Sequence, residues 1–168
     1  MKEIERKFLI KDISNINLSL YRKRTIVQSY LYSDLFSFIR KRIIEENLKK
    51  TYYYTVKTGK NGKYGINEFE KEITEEEYNK LSPLKNINVI IKDRYYIPLS
   101  DNLIIELDVF KGIFEGIIFA EVEFKDENQA LNFKIPNWFD KELTGKVSNS
   151  MMSTISRKEL DDIINKIL

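Results

Sequence analysis

The sequence predicts an α+β domain built on an antiparallel sheet or barrel. Stretches in which apolar and polar residues alternate with a period of two dominate its 168 residues, and this alternation is typical of strands. Helical patterns are few and lie between or after these stretches, which favours a sheet with covering helices. No repeat, low-complexity tract or proline-rich linker interrupts the chain, so we expect a single domain over residues 1–168.

The alternating stretches predict about eight strands. They cover residues 3–10, 26–32, 36–44, 51–57, 66–73, 89–97, 103–110 and 117–125. Glycine and asparagine within residues 57–62, and the two glycines within residues 111–116, predict loops that connect neighbouring strands.

Two capping boxes predict where helices begin. Thr74 with Glu77 opens a short helix, and Ser156 with Glu159 opens a C-terminal helix whose apolar residues recur at helical spacing. A further short helix is expected over residues 126–133. We expect these helices to cover the apolar face of the sheet.

The composition excludes several kinds of chemistry. The chain has no cysteine and no histidine, which removes disulfides, thiolate nucleophiles, imidazole bases and the usual ligands of zinc. Its net charge of +2 is too balanced to indicate nucleic-acid or membrane binding, and no apolar run approaches the length of a membrane span. We therefore expect a cytoplasmic protein whose chemistry depends on carboxylates, lysines, arginines, hydroxyls or bound metal ions.

Charges of one sign share a face in strand after strand. Side chains alternate across a strand, and one face of each predicted strand is apolar while the other is mainly charged. For any single strand, an ordinary solvent-exposed face is a better explanation than a binding site. The repetition of the pattern favours a site that binds charged ligands, because like charges repel unless a ligand of opposite charge lies between them. The charged faces are Glu3/Glu5/Lys7, Arg40/Arg42, Thr55/Lys57, Glu68/Glu70/Glu72, Lys92/Arg94, Glu106/Asp108 and Glu121/Glu123.

If the sheet closes, these faces would line a lumen that holds a ligand. Carboxylates in a chain without histidine or cysteine suit Mg²⁺ or Mn²⁺, and converging lysines and arginines suit phosphate. Both signs in one cavity indicate a metal-phosphate substrate. The sequence contains no glycine-rich phosphate loop, so side chains rather than backbone amides would hold the phosphates.

In their order along the chain, these residues resemble the CYTH, or triphosphate tunnel metalloenzyme, family. Glu3-Ile4-Glu5-Arg6-Lys7 matches the ExExK signature of that family in its usual place near the N-terminus. One position differs: Ile66 stands where members often carry arginine, so a contact is lost there or supplied by Lys63. The later motifs are Gln28-Ser29-Tyr30-Leu31, Arg40-Lys41-Arg42, Thr55-Val56-Lys57, Glu68-Phe69-Glu70, Lys92-Asp93-Arg94-Tyr95, Glu106-Leu107-Asp108, Glu115-Gly116, Ala120-Glu121-Val122-Glu123 and Leu143-Thr144-Gly145.

The resemblance covers nearly the whole chain and implies an eight-stranded antiparallel β-barrel that forms a triphosphate tunnel. It implies a metal-dependent hydrolase of the terminal phosphoanhydride bond of a triphosphate. The family includes enzymes for several triphosphates, and the substrate that we expect is inorganic tripolyphosphate. Lys7 would position or deprotonate the nucleophile, although the surrounding glutamates argue against a free-base role. The residues expected to bind substrate are Arg40, Arg42, Lys57, Lys92 and Arg94. Those expected to bind Mg²⁺ or Mn²⁺ are Glu3, Glu5, Glu121 and Glu123, with Glu68 and Glu70 as ligands or as orienters of basic side chains.

Other activities in the same architecture remain open at this point. A class IV adenylate cyclase or a thiamine triphosphatase would use the same rows of charge, and a cyclase would need a nucleoside pocket at one tunnel mouth. Tyr52, Tyr53, Tyr54 and Trp138 could stack on a base, although ordinary packing explains them better. A non-catalytic polyphosphate sensor would need the basic rows alone. Because the chain keeps both rows, an enzyme with a small-molecule substrate is favoured.

Overall fold

The computed structural model describes residues 2–34, 37–59 and 65–167. All eight predicted strands are present in this part of the chain, and the largest shift of a boundary is at β2, which begins at Arg22 instead of residue 26. Lys63 and part of the predicted loop at 57–62 lie outside the described residues. The strands are β1 (Lys2–Leu9), β2 (Arg22–Ser33), β3 (Ser37–Glu46), β4 (Lys49–Thr58), β5 (Gly65–Ile73), β6 (Ile90–Pro98), β7 (Ile104–Phe110) and β8 (Ile118–Glu123).

The strands form a closed antiparallel barrel in the order β1-β5-β4-β3-β2-β6-β7-β8, which confirms the predicted fold. Hairpin neighbours pair from β2 to β5 and from β6 to β8, and β2 also pairs with β6. Strand β1 closes the barrel, because it pairs with β5 over three residues and with β8 over five. Closure turns one face of every strand toward a common interior.

The outward-facing apolar side chains of β1, β7 and β8 form one buried cluster. Phe8, Leu107 and Val122 pack there against Phe139, which belongs to residues 136–145, here called the closing segment. This cluster fits the prediction that the apolar strand faces lie outside the barrel and are covered.

A second apolar cluster lies inside one end of the barrel. Leu9, Phe110 and Phe119 continue the same strand faces as Lys7, Asp108 and Glu121, because they follow at a spacing of two. They pack against Leu160 and Ile164 of the C-terminal helix. The inner faces of β1, β7 and β8 are therefore apolar at this end and mainly charged beyond it.

Four helices occur in the described residues: α1 (Glu75–Lys80), α2 (Glu127–Leu131), α3 (Asn149–Met152) and α4 (Arg157–Lys166). Both predicted capping boxes are formed, at Thr74 and at Ser156. Helix α2 is shorter than predicted, and α3 has too few residues for a periodic signal. None of these helices has the length and apolar character needed to cross a membrane.

Candidate active site

Inward-facing side chains of the barrel line a cavity of about 290 Å³. Among its lining residues are Lys7, all five residues expected to bind substrate, and every glutamate expected to bind metal except Glu3. The side chain of Glu3 lies outside the described part of the chain. The charged lining residues are Glu5, Lys7, Arg24, Arg40, Arg42, Lys57, Glu68, Glu70, Lys92, Arg94, Glu106, Glu121 and Glu123.

Carboxylates are concentrated on one wall of this cavity and cations on the opposite wall, although each wall also contacts side chains of the other sign. Strands β7, β8 and β1 carry an acidic wall, which we define as Glu106, Glu121, Glu123 and Glu5. Across the barrel, β3 and β4 carry a basic wall, defined as Arg40, Arg42 and Lys57. A triphosphate between the walls would face cations on one side and oxygen ligands for a metal on the other.

Asp108 forms ion pairs with two cations, Lys92 and Arg94, beside the acidic wall. The side chain of Asp108 has no exposed area, and its carboxylate accepts hydrogen bonds from Arg94 Nε and Nη2 at 2.6 and 2.7 Å. It also pairs with the buried ammonium of Lys92. Arg94 in turn pairs with Glu106 and, at 2.7 Å, with Glu121. Arg94 is thereby held in one orientation by three carboxylates.

Lys7 of the ExExK signature is anchored to the same wall. Its Nζ lies 3.0 Å from Glu121 Oε1, and both side chains are buried. Its backbone N–H donates to Thr144 Oγ1 at 3.0 Å, and its carbonyl accepts from the backbone N–H of Leu143 at 2.8 Å. The closing segment therefore fixes the position of this lysine from outside the barrel.

Glutamates of β5 hold cations of the basic wall. Glu70 pairs with Arg42 and accepts a hydrogen bond from Thr55 Oγ1 at 2.7 Å. Glu68 pairs with Lys57 at 2.9 Å. Both carboxylates thus orient basic side chains, which is one of the two roles that the sequence left open for them.

Burial and neighbouring charges set the protonation of these groups. Burial lowers the pKa of Lys92 to about 8, and the positive charge of Arg94 adds to this effect. Burial also opposes the charge of Lys7, but Glu121 and Glu5 outweigh it and raise the pKa of Lys7 above its ordinary value. Although burial opposes its charge too, the pKa of Glu121 lies well below normal because Lys7 and Arg94 are close. At neutral pH, Lys7 is a cation and Glu121 an anion.

The carboxylates of the acidic wall have the chemistry that a hard divalent cation requires. Glu5 lies directly opposite Glu123 in the register of β1 and β8, and Glu121 lies on the same inner face. In the described residues, no three carboxylates converge closely enough to form a ready metal cluster. The oxygen donors suit a hard divalent cation, while Glu121 is engaged by Lys7 and Arg94.

Several residues of the cavity were not among the expected site residues. Arg24 extends the inner face of β2 toward one mouth and donates to Tyr96 Oη at 3.5 Å. The sequence identified Glu106 and Asp108 as a charged strand face, but it did not predict that both carboxylates pair with Arg94. The four-residue helix α3 brings Ser148–Ser150 to the wall. The strand alternation that places Arg42 and Arg94 inside would also have identified Arg24, had β2 been extended to Arg22.

The aromatic candidates for base stacking lie in different environments. Tyr53 lines the cavity. Tyr52 packs on Tyr78 of α1, with ring centroids 5.2 Å apart, and Trp138 packs on Phe139 at 4.7 Å. Tyr52 and Trp138 therefore serve packing, as the sequence favoured for them.

A closed eight-stranded barrel with opposed rows of cations and carboxylates defines a protein of the triphosphate-tunnel class. A family model of the CYTH domain matches residues 1–157. An inorganic triphosphatase of Nitrosomonas europaea is 33% identical over 144 residues, which are 86% of this chain and 90% of that protein. An inorganic triphosphatase of Acetivibrio thermocellus is 35% identical over 148 residues, which are 86% of each.

A solved structure gives the same result for the fold. The crystal structure of the inorganic triphosphatase NE1496 matches with a TM-score of 0.62 and 28% identity, and the match covers 91% of this chain and 95% of that one. The chain belongs to the CYTH family, as its motifs indicated. Membership in this family implies dependence on a divalent metal ion.

Proposed function

We propose that this protein is a single-domain, divalent-metal-dependent triphosphatase that converts inorganic tripolyphosphate and water to pyrophosphate and phosphate. The observation that carries this proposal is the cavity in which a basic wall faces an acidic wall inside a closed barrel. The two relatives named inorganic triphosphatase support it. The volume of about 290 Å³ suits a compact anion with few organic substituents.

The residues that bind the phosphates are Arg40, Arg42, Lys57, Lys92 and Arg94. Arginine offers forked donors that match phosphate oxygens, and lysine offers a point charge. Because Arg42, Lys57, Lys92 and Arg94 are already held by carboxylates, little side-chain entropy is lost when the substrate binds. Phosphoryl transfer depends mainly on such positioning and on charge stabilisation.

The metal would be held by Glu5, Glu121 and Glu123, with Glu3 expected from its place in the ExExK signature. Mg²⁺ and Mn²⁺ both prefer carboxylate oxygens. When bound, the ion would neutralise phosphate charge and lower the pKa of coordinated water. Glu68 and Glu70 orient Lys57 and Arg42.

Lys7 acts as a fixed cation. Its raised pKa keeps it protonated near neutral pH, so it is poorly suited to remove a proton from water. A protonated lysine beside Glu121 can donate hydrogen bonds to a phosphate oxygen or to the attacking water. We therefore assign Lys7 to positioning of the nucleophile and stabilisation of charge.

Product analysis tests this function. The purified protein is incubated with tripolyphosphate, ATP and thiamine triphosphate, each with Mg²⁺, with Mn²⁺ and with excess chelator. We expect metal-dependent release of phosphate and pyrophosphate from tripolyphosphate. Cyclic AMP from ATP would instead indicate a cyclase, preferential hydrolysis of thiamine triphosphate would change the substrate, and binding without turnover would indicate a sensor.

A matched pair of arginine variants locates the activity. Arg42→Ala removes a forked donor from the basic wall, whereas Arg157→Ala removes an arginine that pairs with Asp161 on the surface of α4. We expect Arg42→Ala to slow turnover, with a rise of roughly 2 to 4 kcal/mol in the activation free energy. Arg157→Ala should leave the rate unchanged. Equal rates in both variants would place the activity outside the barrel.

A further inference from the structure

The proposed function leaves one arginine of the cavity without a role. Arg24 lies on the inner face of β2, and Tyr30 of the same face belongs to the apolar cluster inside one end of the barrel. Arg24 lies toward the start of the strand, at the opposite end, and 31% of its side chain is exposed. Arg24 therefore contacts both the cavity and solvent, and we call this end of the cavity the mouth.

At the mouth, Arg24 lies beside a second arginine. In the register of β2 and β6, Arg24 is directly opposite Arg94, and both side chains line the cavity. Like charges in this position repel each other unless groups of opposite charge compensate them. Arg94 pairs with three carboxylates, which are those of Glu106, Asp108 and Glu121. Arg94 is thus well compensated, and Arg24 needs a source of negative charge of its own.

Arg24 shares its carboxylate with another arginine. Glu46 accepts a hydrogen bond from Arg24 Nε at 2.9 Å and one from Arg22 Nη2 at 2.8 Å. One negative charge thus serves two guanidiniums, which leaves this group of three side chains with a net positive charge. Arg24 lines the cavity, whereas the side chain of Arg22 lies outside it and is more than half exposed. An anion at the mouth would complete the compensation of Arg24.

Tyr96 holds the guanidinium of Arg24 from a second side. Its Oη accepts a hydrogen bond from Arg24 Nη1 at 3.5 Å, and its ring centroid lies 5.6 Å from the guanidinium carbon. Because Glu46 accepts from Nε, the guanidinium is held at two of its nitrogens. A cation that is already oriented loses little side-chain entropy when an anion binds. These contacts favour an anion-binding role for Arg24 over that of a mobile surface arginine.

The two ends of a triphosphate differ in charge when one of them is esterified. Both ends of tripolyphosphate are terminal phosphates, whereas one end of ATP carries a nucleoside and has one ionisable oxygen fewer. A guanidinium binds a terminal phosphate more strongly than an esterified one, because the Coulomb attraction is larger. Apolar side chains occupy the other end of the barrel, so the esterified end of ATP would lie at the mouth. A cation at the mouth can therefore distinguish the two substrates.

We propose that Arg24 is a specificity-determining residue, which binds the phosphate at the mouth and favours inorganic tripolyphosphate over triphosphates with an esterified end. This inference rests on the proposed function, because that function places the triphosphate between the two walls. Arg24 contacts the substrate, and Glu46 and Tyr96 position its guanidinium. Loss of the Arg24 charge should therefore weaken the binding of tripolyphosphate more than the binding of ATP.

The test compares Arg24→Gln with Arg22→Gln, the matched control. Both variants remove an arginine that pairs with Glu46, but of the two arginines only Arg24 lines the cavity. Calorimetry measures the affinities for tripolyphosphate and for ATP without metal, and kcat/KM is measured for both with Mg²⁺. In Arg24→Gln, the preference for tripolyphosphate over ATP should fall roughly tenfold, the effect of losing a hydrogen bond to a charged group. Arg22→Gln should keep the wild-type preference, and Arg24→Lys should keep most of it, because its charge remains.

Melting temperatures show whether the variants fold, and Arg24→Met takes the place of Arg24→Gln if the latter does not. An equal loss of affinity for tripolyphosphate and for ATP, or an unchanged preference, would overturn the specificity role. The same conclusion would follow if Arg22→Gln matched Arg24→Gln, since the effect would then come from the general potential of the mouth. A wild type that binds tripolyphosphate without hydrolysing it would overturn the proposed function, and the affinities would still test Arg24.

Discussion

Asp108 holds Arg94 through two hydrogen bonds, from Nε at 2.6 Å and from Nη2 at 2.7 Å, while it also pairs with Lys92. One fully buried carboxylate thus compensates the charge of a buried ammonium and contributes to that of a half-buried guanidinium. Asp108→Asn removes the charge and leaves both cations with less compensation, which should destabilise the fold by roughly 3 kcal/mol. The free energy of unfolding in urea measures this loss.

Tripolyphosphate should stabilise Asp108→Asn, because its negative charge compensates the cations that Asp108 served. We expect a larger rise in melting temperature on adding metal-free tripolyphosphate to the variant than to the wild type. Asp161→Asn, which weakens a surface pair with Arg157, is the matched control and should show the wild-type response. If tripolyphosphate raises the melting temperature of Asp108→Asn and of the wild type by the same amount, Lys92 and Arg94 do not bind phosphate.

Glu123 should determine metal affinity. It lies opposite Glu5 across β1 and β8, so Glu123→Ala removes one proposed oxygen ligand. The metal concentration for half-maximal rate should rise, while metal-free binding of tripolyphosphate should be unchanged or tighter because one repulsive carboxylate has gone. Titration of the metal at saturating tripolyphosphate measures the first effect, and calorimetry the second.

Arg42→Ala is the opposing variant in the same titrations. It should weaken the binding of tripolyphosphate and leave the metal requirement unchanged, since the acidic wall stays intact. Equal loss of metal and substrate dependence in Arg42→Ala and Glu123→Ala would show that the two walls act as one unit.

Strand alternation predicted much of this architecture because it depends on neighbours in sequence. It placed Arg42 and Glu121 on the charged faces of their strands, opposite the apolar faces, whatever the strands pair with. It did not distinguish a flat sheet from a barrel, because closure depends on the pairing of β1 with both β5 and β8, and these contacts join distant parts of the chain. The resemblance to the CYTH family supplied that closure.

Pair interactions within the site were not predictable from alternation. The contact of Asp108 with Arg94 depends on the register of β6 and β7, which places the two residues directly opposite each other. The change of face between Tyr30 and Tyr32 depends on a register shift that an alternating pattern does not show. Helix α3 is set by its cap at Ser148 and by packing of Met152, with too few residues for a helical period.

Arg6 should be important for stability and not for catalysis. It is buried, forms two hydrogen bonds with Glu142 at 2.9 and 2.8 Å, and donates to the carbonyl of Ala130 at 3.0 Å. Arg6→Met should lower the free energy of unfolding by roughly 2 kcal/mol, because it removes the hydrogen bonds that Arg6 donates to Glu142 and to the carbonyl of Ala130. Urea denaturation measures this change. The exposed pair of Arg157 with Asp161 gives the control, and Arg157→Met should change stability little. A stable Arg6→Met variant would show that other contacts hold the closing segment.

Lys92 should give the activity a pH dependence near its pKa of about 8. Burial disfavours its charged form, so the lysine is a cation below this pH and becomes neutral as the pH rises through it. Because the charged form binds phosphate, kcat/KM for tripolyphosphate should fall above about pH 8. In Lys92→Met, kcat/KM should be lower at pH 7 and should lack this fall. Ionisation of the substrate affects both proteins equally, so the ratio of their pH profiles isolates Lys92. A ratio that stays constant from pH 6 to 10 would show that Lys92 does not bind the substrate in its charged form.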